Sequence, residues 1–212
     1  MKNNFTLRWT LANALGMSLG FLAFIQFLML YGHGLNFEMH WVFGAPPDMS
    51  ENSMLLAMGI GLAIFGIVFS LGQALILKQY LPKLLWAWIL NGALGYVVVL
   101  LIIWPFIGIW GSIEGPVEPL TVVLGGTLFM LILQWRYLRK QGIKPARPIV
   151  WFGAGGLLGI LPVLLLFMVI WTNVPWGVDI AIMGLIVGGS AGFLSAKHFQ
   201  KVLERSTVNL TA

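Results

Sequence analysis

The sequence predicts an all-α integral membrane protein of six transmembrane helices, set as three tandem hairpins with both termini on the cytoplasmic side. Composition is the first of three observations behind this. Of 212 residues 59% are hydrophobic and 9% charged, against about 25% charged in a soluble domain, and mean hydropathy is +0.91. So few charges cannot cover a soluble fold of this size. Second, the 12 Lys and Arg fall in four clusters: Lys2 and Arg8; Lys78 and Lys83; Arg136, Arg139, Lys140, Lys144 and Arg147; Lys197, Lys201 and Arg205. Third, the stretches between them, 9–77, 84–135 and 148–196, hold no Lys or Arg. Each is too long for one span of about 20 residues and fits an out-and-back hairpin.

The spans follow in order. Trp9–Tyr31 comes after Lys2 and Arg8 and exceeds the length of a signal-peptide core; no small-x-small cleavage site follows, so it reads as an uncleaved first span. Ser53–Leu77 follows an outer loop punctuated by Gly44-Ala45-Pro46-Pro47, and Leu84–Trp104 starts directly after Lys83. Pro119–Trp135 enters after Gly115-Pro116 and stops at Arg136. Ile149–Trp171 carries Pro162 at its centre, and Trp176–Ala196 follows Val174-Pro175 and stops at Lys197. Helix is the only conformation open to such segments, because lipid offers no partner for backbone N–H and C=O groups. Trp9, Trp86, Trp88, Trp135 and Trp151 gather at one end of the spans; Trp41, Trp104, Trp110, Trp171 and Trp176 gather at the other. Interfacial belts of this kind are expected where indoles meet headgroups. Lys and Arg are retained in the cytoplasm, which makes the basic side the inside of a cell (inner) membrane.

The chain also repeats itself. The first span opens Trp9-x-Leu11-x-x-Ala14-Leu15-Gly16 and the third Trp88-x-Leu90-x-x-Ala93-Leu94-Gly95, with a looser copy from Trp151 to Gly159 in the fifth. The second ends Gln73-x-x-x-Leu77-Lys78 and the fourth Gln134-x-x-x-Leu138-Arg139; the sixth has Gly192-x-x-x-Ala196-Lys197. Every copy lies at a cytoplasmic helix end, which implies hairpins of one orientation about an axis along the membrane normal, a pseudo-threefold. With these motifs, and the Gln134-Trp135-x-x-Leu138-Arg139 ending in particular, the chain resembles a group of uncharacterised prokaryotic six-span membrane proteins. The resemblance implies a bacterial membrane location and transfers no catalytic residue. In size it is similar to the substrate-binding subunits of vitamin uptake systems, a likeness of architecture only.

Four amides, Asn13, Gln73, Asn91 and Gln134, lie within about two turns of the cytoplasmic helix ends. Two roles fit them: hydrogen bonds between helices, or a solute-facing polar ring gathered by the pseudo-threefold. Gly159 and Pro162 mark a kink or hinge, since proline removes a backbone donor and frees the carbonyl of Leu158. Glycines spaced by four (Gly16 and Gly20; Gly155 and Gly159; Gly184, Gly188 and Gly192) favour close helix packing, inside the bundle or at a homodimer face. Six of the seven acids lie on the outer side, Asp179 among them at the start of the sixth span. His33, Glu38, His40 and Asp48 share one outer loop but lack a recognised metal-ligand spacing, so no metal is expected.

No ionisable group is placed deep in a span, which argues against proton relays, voltage sensing and a retinal Schiff base. The absence of cysteine excludes thiolate chemistry and disulfides. No Walker or dinucleotide motif occurs in a strand-to-helix setting. The expectation is a non-catalytic, cofactor-free membrane protein that binds or passes a small solute or lipid. An accessory subunit docking a membrane partner is the alternative. Anticipated partners are the bilayer, anionic lipid at the cytoplasmic basic loops, and a second copy or another membrane protein; nucleic acid is not among them.

Overall fold

The computed structural model describes residues 4–33, 51–81, 85–107, 117–143, 146–170 and 178–210. These form six helices and, among the described residues, no strand. The helices are α1 (Phe5–His33), α2 (Glu51–Leu77), α3 (Leu85–Ile107), α4 (Val117–Lys140), α5 (Ala146–Ile170) and α6 (Val178–Leu210). Among the described residues four are long and apolar enough to cross a membrane: Phe5–Leu28, Leu55–Leu77, Leu85–Ile103 and Ala181–Glu204. The described apolar stretch of α5, Pro148–Val163, is shorter, and α4 closes on Arg139 and Lys140.

Packing runs in the order α4–α3–α2–α1–α6–α5. The α1–α6 contact is the most extensive and the α4–α5 contact by far the thinnest. Leucines at Leu7, Leu11, Leu15, Leu19 and Leu22 line the outer surface of α1, as expected where the solvent of the outer face is lipid.

The interior has two layers. One joins Met17, Phe65, Phe69, Tyr96, Met130, Phe152 and Ala191. Its rings interlock, with Phe65 edge-on to Tyr96 at 4.7 Å and Phe69 meeting Phe152 of α5 at 6.3 Å between centroids. Edge-to-face contacts like the first suit the quadrupoles of aromatic rings. The other layer, nearer the basic end, joins Phe5, Trp9, Leu77, Trp88, Leu138, Ile143, Ala196 and Phe199. The even helices enter both layers at one spacing. Phe69, Met130 and Ala191, each 61 residues on from the last, belong to the first layer, and Leu77, Leu138 and Phe199 belong to the second.

Two local devices set the helix ends and separations. α4 stops in a Schellman turn: Gly142 takes φ +76°, its N–H donates to Arg139 O at 3.1 Å, and Ile143 N–H donates to Leu138 O at 3.1 Å. Glycine takes the left-handed conformation without a Cβ penalty, and the Ile143–Leu138 apolar contact completes the motif. On α6, Gly184, Gly188 and Gly192 seat α1: a Cβ on Gly184 would stand 2.6 Å from Ser18 Cα, and one on Gly192 2.9 Å from Thr10 Cα. These glycines, with Gly16 and Gly20 against α2 and Gly155 and Gly159 against α6, are spent inside the bundle.

α5 continues as helix through Pro162, which lies exposed, while Gly159 is pressed against Val187 and Ser190.

Candidate functional site: a buried amide–indole chain

Between the two apolar layers lies a polar level. Gln73 sits one turn beyond Phe69 and one before Leu77; Gln134 lies between Met130 and Leu138, and Ser195 between Ala191 and Phe199. All three are at most 1% exposed. Each side chain therefore needs an internal partner, since a buried polar group left unpaired costs roughly 1–3 kcal/mol.

For Gln73 and Ser195 a continuous hydrogen-bond chain meets that need across four helices. Trp88 Nε1 of α3 donates to Gln73 Oε1 of α2 at 2.8 Å. Gln73 Nε2 donates to Asn13 Oδ1 of α1 at 2.7 Å, and Asn13 Nδ2 donates to the carbonyl of Trp9 at 2.7 Å. The indole of that same Trp9 donates to Ser195 Oγ of α6 at 2.9 Å. Ser195 Oγ in turn donates to Ala191 O at 2.8 Å. Trp9, Asn13, Gln73, Trp88 and Ser195 are all sealed from solvent.

Of the four sequence-selected amides, the structure brings together two. Asn13 and Gln73 are bonded to one another. Asn91 is half-buried on α3 and stands outside the chain. Gln134 is buried in α4, but its Nε2 has no hydrogen-bond partner. Register explains the difference. A Cβ on Gly16 would meet Phe69, one on Gly95 would meet Met130, and one on Gly155 would meet Ala191. Counting back from these three glycines, Trp9 and Asn13 of α1 correspond to Trp88 and Gly92 of α3 and to Pro148 and Phe152 of α5, every one of them buried. Gln73 finds the side-chain oxygen of Asn13; the residue in the matching place for Gln134 is Gly92, which has none. Asn91 is one residue, about 100° of helix turn, off that line.

Three members of the chain escaped the sequence reading as site residues. Trp9 and Trp88, expected in an interfacial belt, are core donors; among the described residues Trp86 and Trp151 are the exposed indoles. The repeated Trp-x-Leu motif was the signal that both belong to the bundle. Ser195, not Gly192, completes the spacing of 61 and receives Trp9. Pro148, not Trp151, occupies the third tryptophan position, and Trp151 stacks on His198 of α6 with centroids 5.3 Å apart and planes 4° from parallel. Glu38, His40 and Asp48 lie outside the described residues, as do the side chains of His33 and Asp179. Among the described residues no group of three His, Cys, Asp or Glu could hold a metal ion.

Chemically the chain is a clamp. It holds neutral donors and acceptors in matched pairs, and none of its groups titrates near neutral pH. No protein-family model, curated protein or solved structure matches the chain.

Proposed function

We propose that the protein is a non-catalytic accessory subunit of a bacterial inner membrane. In this reading six spans form three tandem hairpins, with both termini and the basic loops in the cytoplasm, and the bundle docks a membrane partner. Support for the hairpin repeat comes from the shared spacing of 61 through both interior layers. The observation that carries the accessory role is the sealed amide–indole chain. Asn13, Gln73 and Gln134 offer essentially no surface to water, and two of them are committed to bonds between helices. Polar groups used this way stabilise a fixed helix arrangement, worth roughly 0.6–2 kcal/mol for each bond in a membrane.

The thin α4–α5 contact makes that edge of the bundle the docking face. A photo-crosslinking residue at Leu128 of α4 or Leu161 of α5, both strongly exposed, is expected to give one discrete adduct in cells. A stoichiometric second protein should accompany the chain through mild-detergent purification. Recovery of the chain alone, with no adduct from either site, overturns the proposal.

Passage or binding of a small solute or lipid is the second reading, and the same thin contact favours it as a lateral opening. It requires Asn13 and Gln73 to leave their present partners, so Gln73→Leu should abolish uptake while leaving any partner adduct intact.

A further inference from the structure

The basic end of the α1–α2 pair carries a cavity of about 140 Å³, lined by Asn4, Phe5, Arg8, Ile76, Gln79 and Tyr80. Among the described residues its polar rim holds one guanidinium, two carboxamides and a phenol, and no carboxylate lines it. Arg8 Nη1 reaches Gln79 Oε1 at 3.4 Å, a long contact to a neutral acceptor, and among the described residues no carboxylate pairs with the guanidinium. Guanidinium donors pair far better with a phosphoryl oxygen, through shorter, charge-assisted bonds. The floor is apolar and aromatic: Phe5 stands edge-on to Tyr80 at 5.6 Å and stacks on Trp9 at 5.9 Å. Below it run two helices long and apolar enough to cross a membrane. The cavity thus sets a cation and hydrogen-bond donors beside an apolar, aromatic wall at the end of two helices long and apolar enough to cross a membrane.

We propose that this cavity binds a phosphoryl group, and that the group is the headgroup phosphate of an anionic phospholipid, with Arg8 as its cationic ligand and Phe5 and Ile76 against the glycerol region. The inference is independent of the partner reading and rests on α1 and α2 as membrane spans.

The test uses the full chain in nanodiscs of phosphatidylcholine doped with phosphatidylglycerol, with bound lipid per protein measured by native mass spectrometry. Retained phosphatidylglycerol is expected, weakened about fivefold by Arg8→Gln, the loss of one basic group at a membrane surface. Gln79→Ala, which changes no charge, should also weaken retention, whereas Lys78→Gln, a neighbouring charge absent from the cavity lining, should change it less than twofold. Equal losses for Arg8→Gln and Lys78→Gln overturn the site in favour of general surface attraction. Undiminished retention in Arg8→Gln overturns it outright. Displacement of bound lipid only by another anionic phospholipid supports the lipid source; millimolar inorganic phosphate binding to a protein that retains no phosphatidylglycerol overturns that source. Arg8 and Gln79 are exposed, so the substituted proteins keep their core.

Discussion

Gln73 and Gln134 are the same residue, stand 61 positions apart at the ends of the matching motifs, and are buried to the same degree. Their energetic roles differ because of what faces them. Removing Gln73 orphans the indole N–H of Trp88 and the amide oxygen of Asn13 together. Gln73→Leu is therefore expected to destabilise the protein by about 2 kcal/mol, read as a lower unfolding midpoint in a detergent titration. Gln134→Leu replaces a side chain whose Nε2 already lacks a partner and should cost less than about 1 kcal/mol, or stabilise. Equal costs for the two would show that the chain contributes nothing beyond volume. The sequence displayed both glutamines and their shared spacing. It could not display the pairing, because Asn91 lies one step along the helix from Gly92, the position that matches Asn13, and that step is visible only once the contact register of Gly95 is known.

Between elements, the deciding quantity is how closely two helix axes approach. α6 comes close onto α1, where Gly184, Gly188 and Gly192 admit the backbone of Asn13 and its neighbours. A side chain at Gly188 meets the Asn13 carbonyl and Met17 Cβ. Gly188→Leu should thus push α1 away, break the Trp9–Ser195 bond and cost about 3 kcal/mol. Gly156, on α5, has open space beside it, so Gly156→Ala should be neutral or stabilise by up to about 1 kcal/mol through helix propensity. Thermal unfolding of both variants in one detergent checks the contrast. Glycine spacing in the sequence announced small-residue faces without naming their partners; the same pattern serves a dimer or a bundle, and only the fold assigns α6 to α1.

For the whole molecule, the amide–indole chain that ties α3, α2, α1 and α6 together does not, among the described residues, reach α4 or α5, although Tyr96 of α3 and Thr127 of α4 share a hydroxyl bond at 2.8 Å. Backbone amides of 126–140 and 149–163 should accordingly exchange hydrogen faster than those of α1 and α6, because opening there breaks fewer buried contacts. Uniform protection by mass-spectrometric exchange would contradict this. Topology has a clean test, since the chain contains no cysteine. Gln141→Cys, in the exposed turn after α4, should react with a membrane-impermeant maleimide only after the cytoplasmic side is opened. Reaction in intact cells would reverse the orientation.

Hydropathy, the four basic clusters and the helix-end motifs were readable from residue order alone, because lipid imposes length, charge placement and backbone satisfaction on each segment separately. They announced helices, their approximate ends and a repeated pattern. Which amides bond, which indoles turn inward, and which edge of the bundle stays thinly packed depend on the rotation of each helix about its axis. Helix rotation is decided by neighbours: the glycines that let α1 settle on α6, and the Pro148 that stands where Trp9 and Trp88 stand elsewhere. A hydrogen bond between helices needs both ends within about 3 Å, and that condition exists only in the assembled bundle.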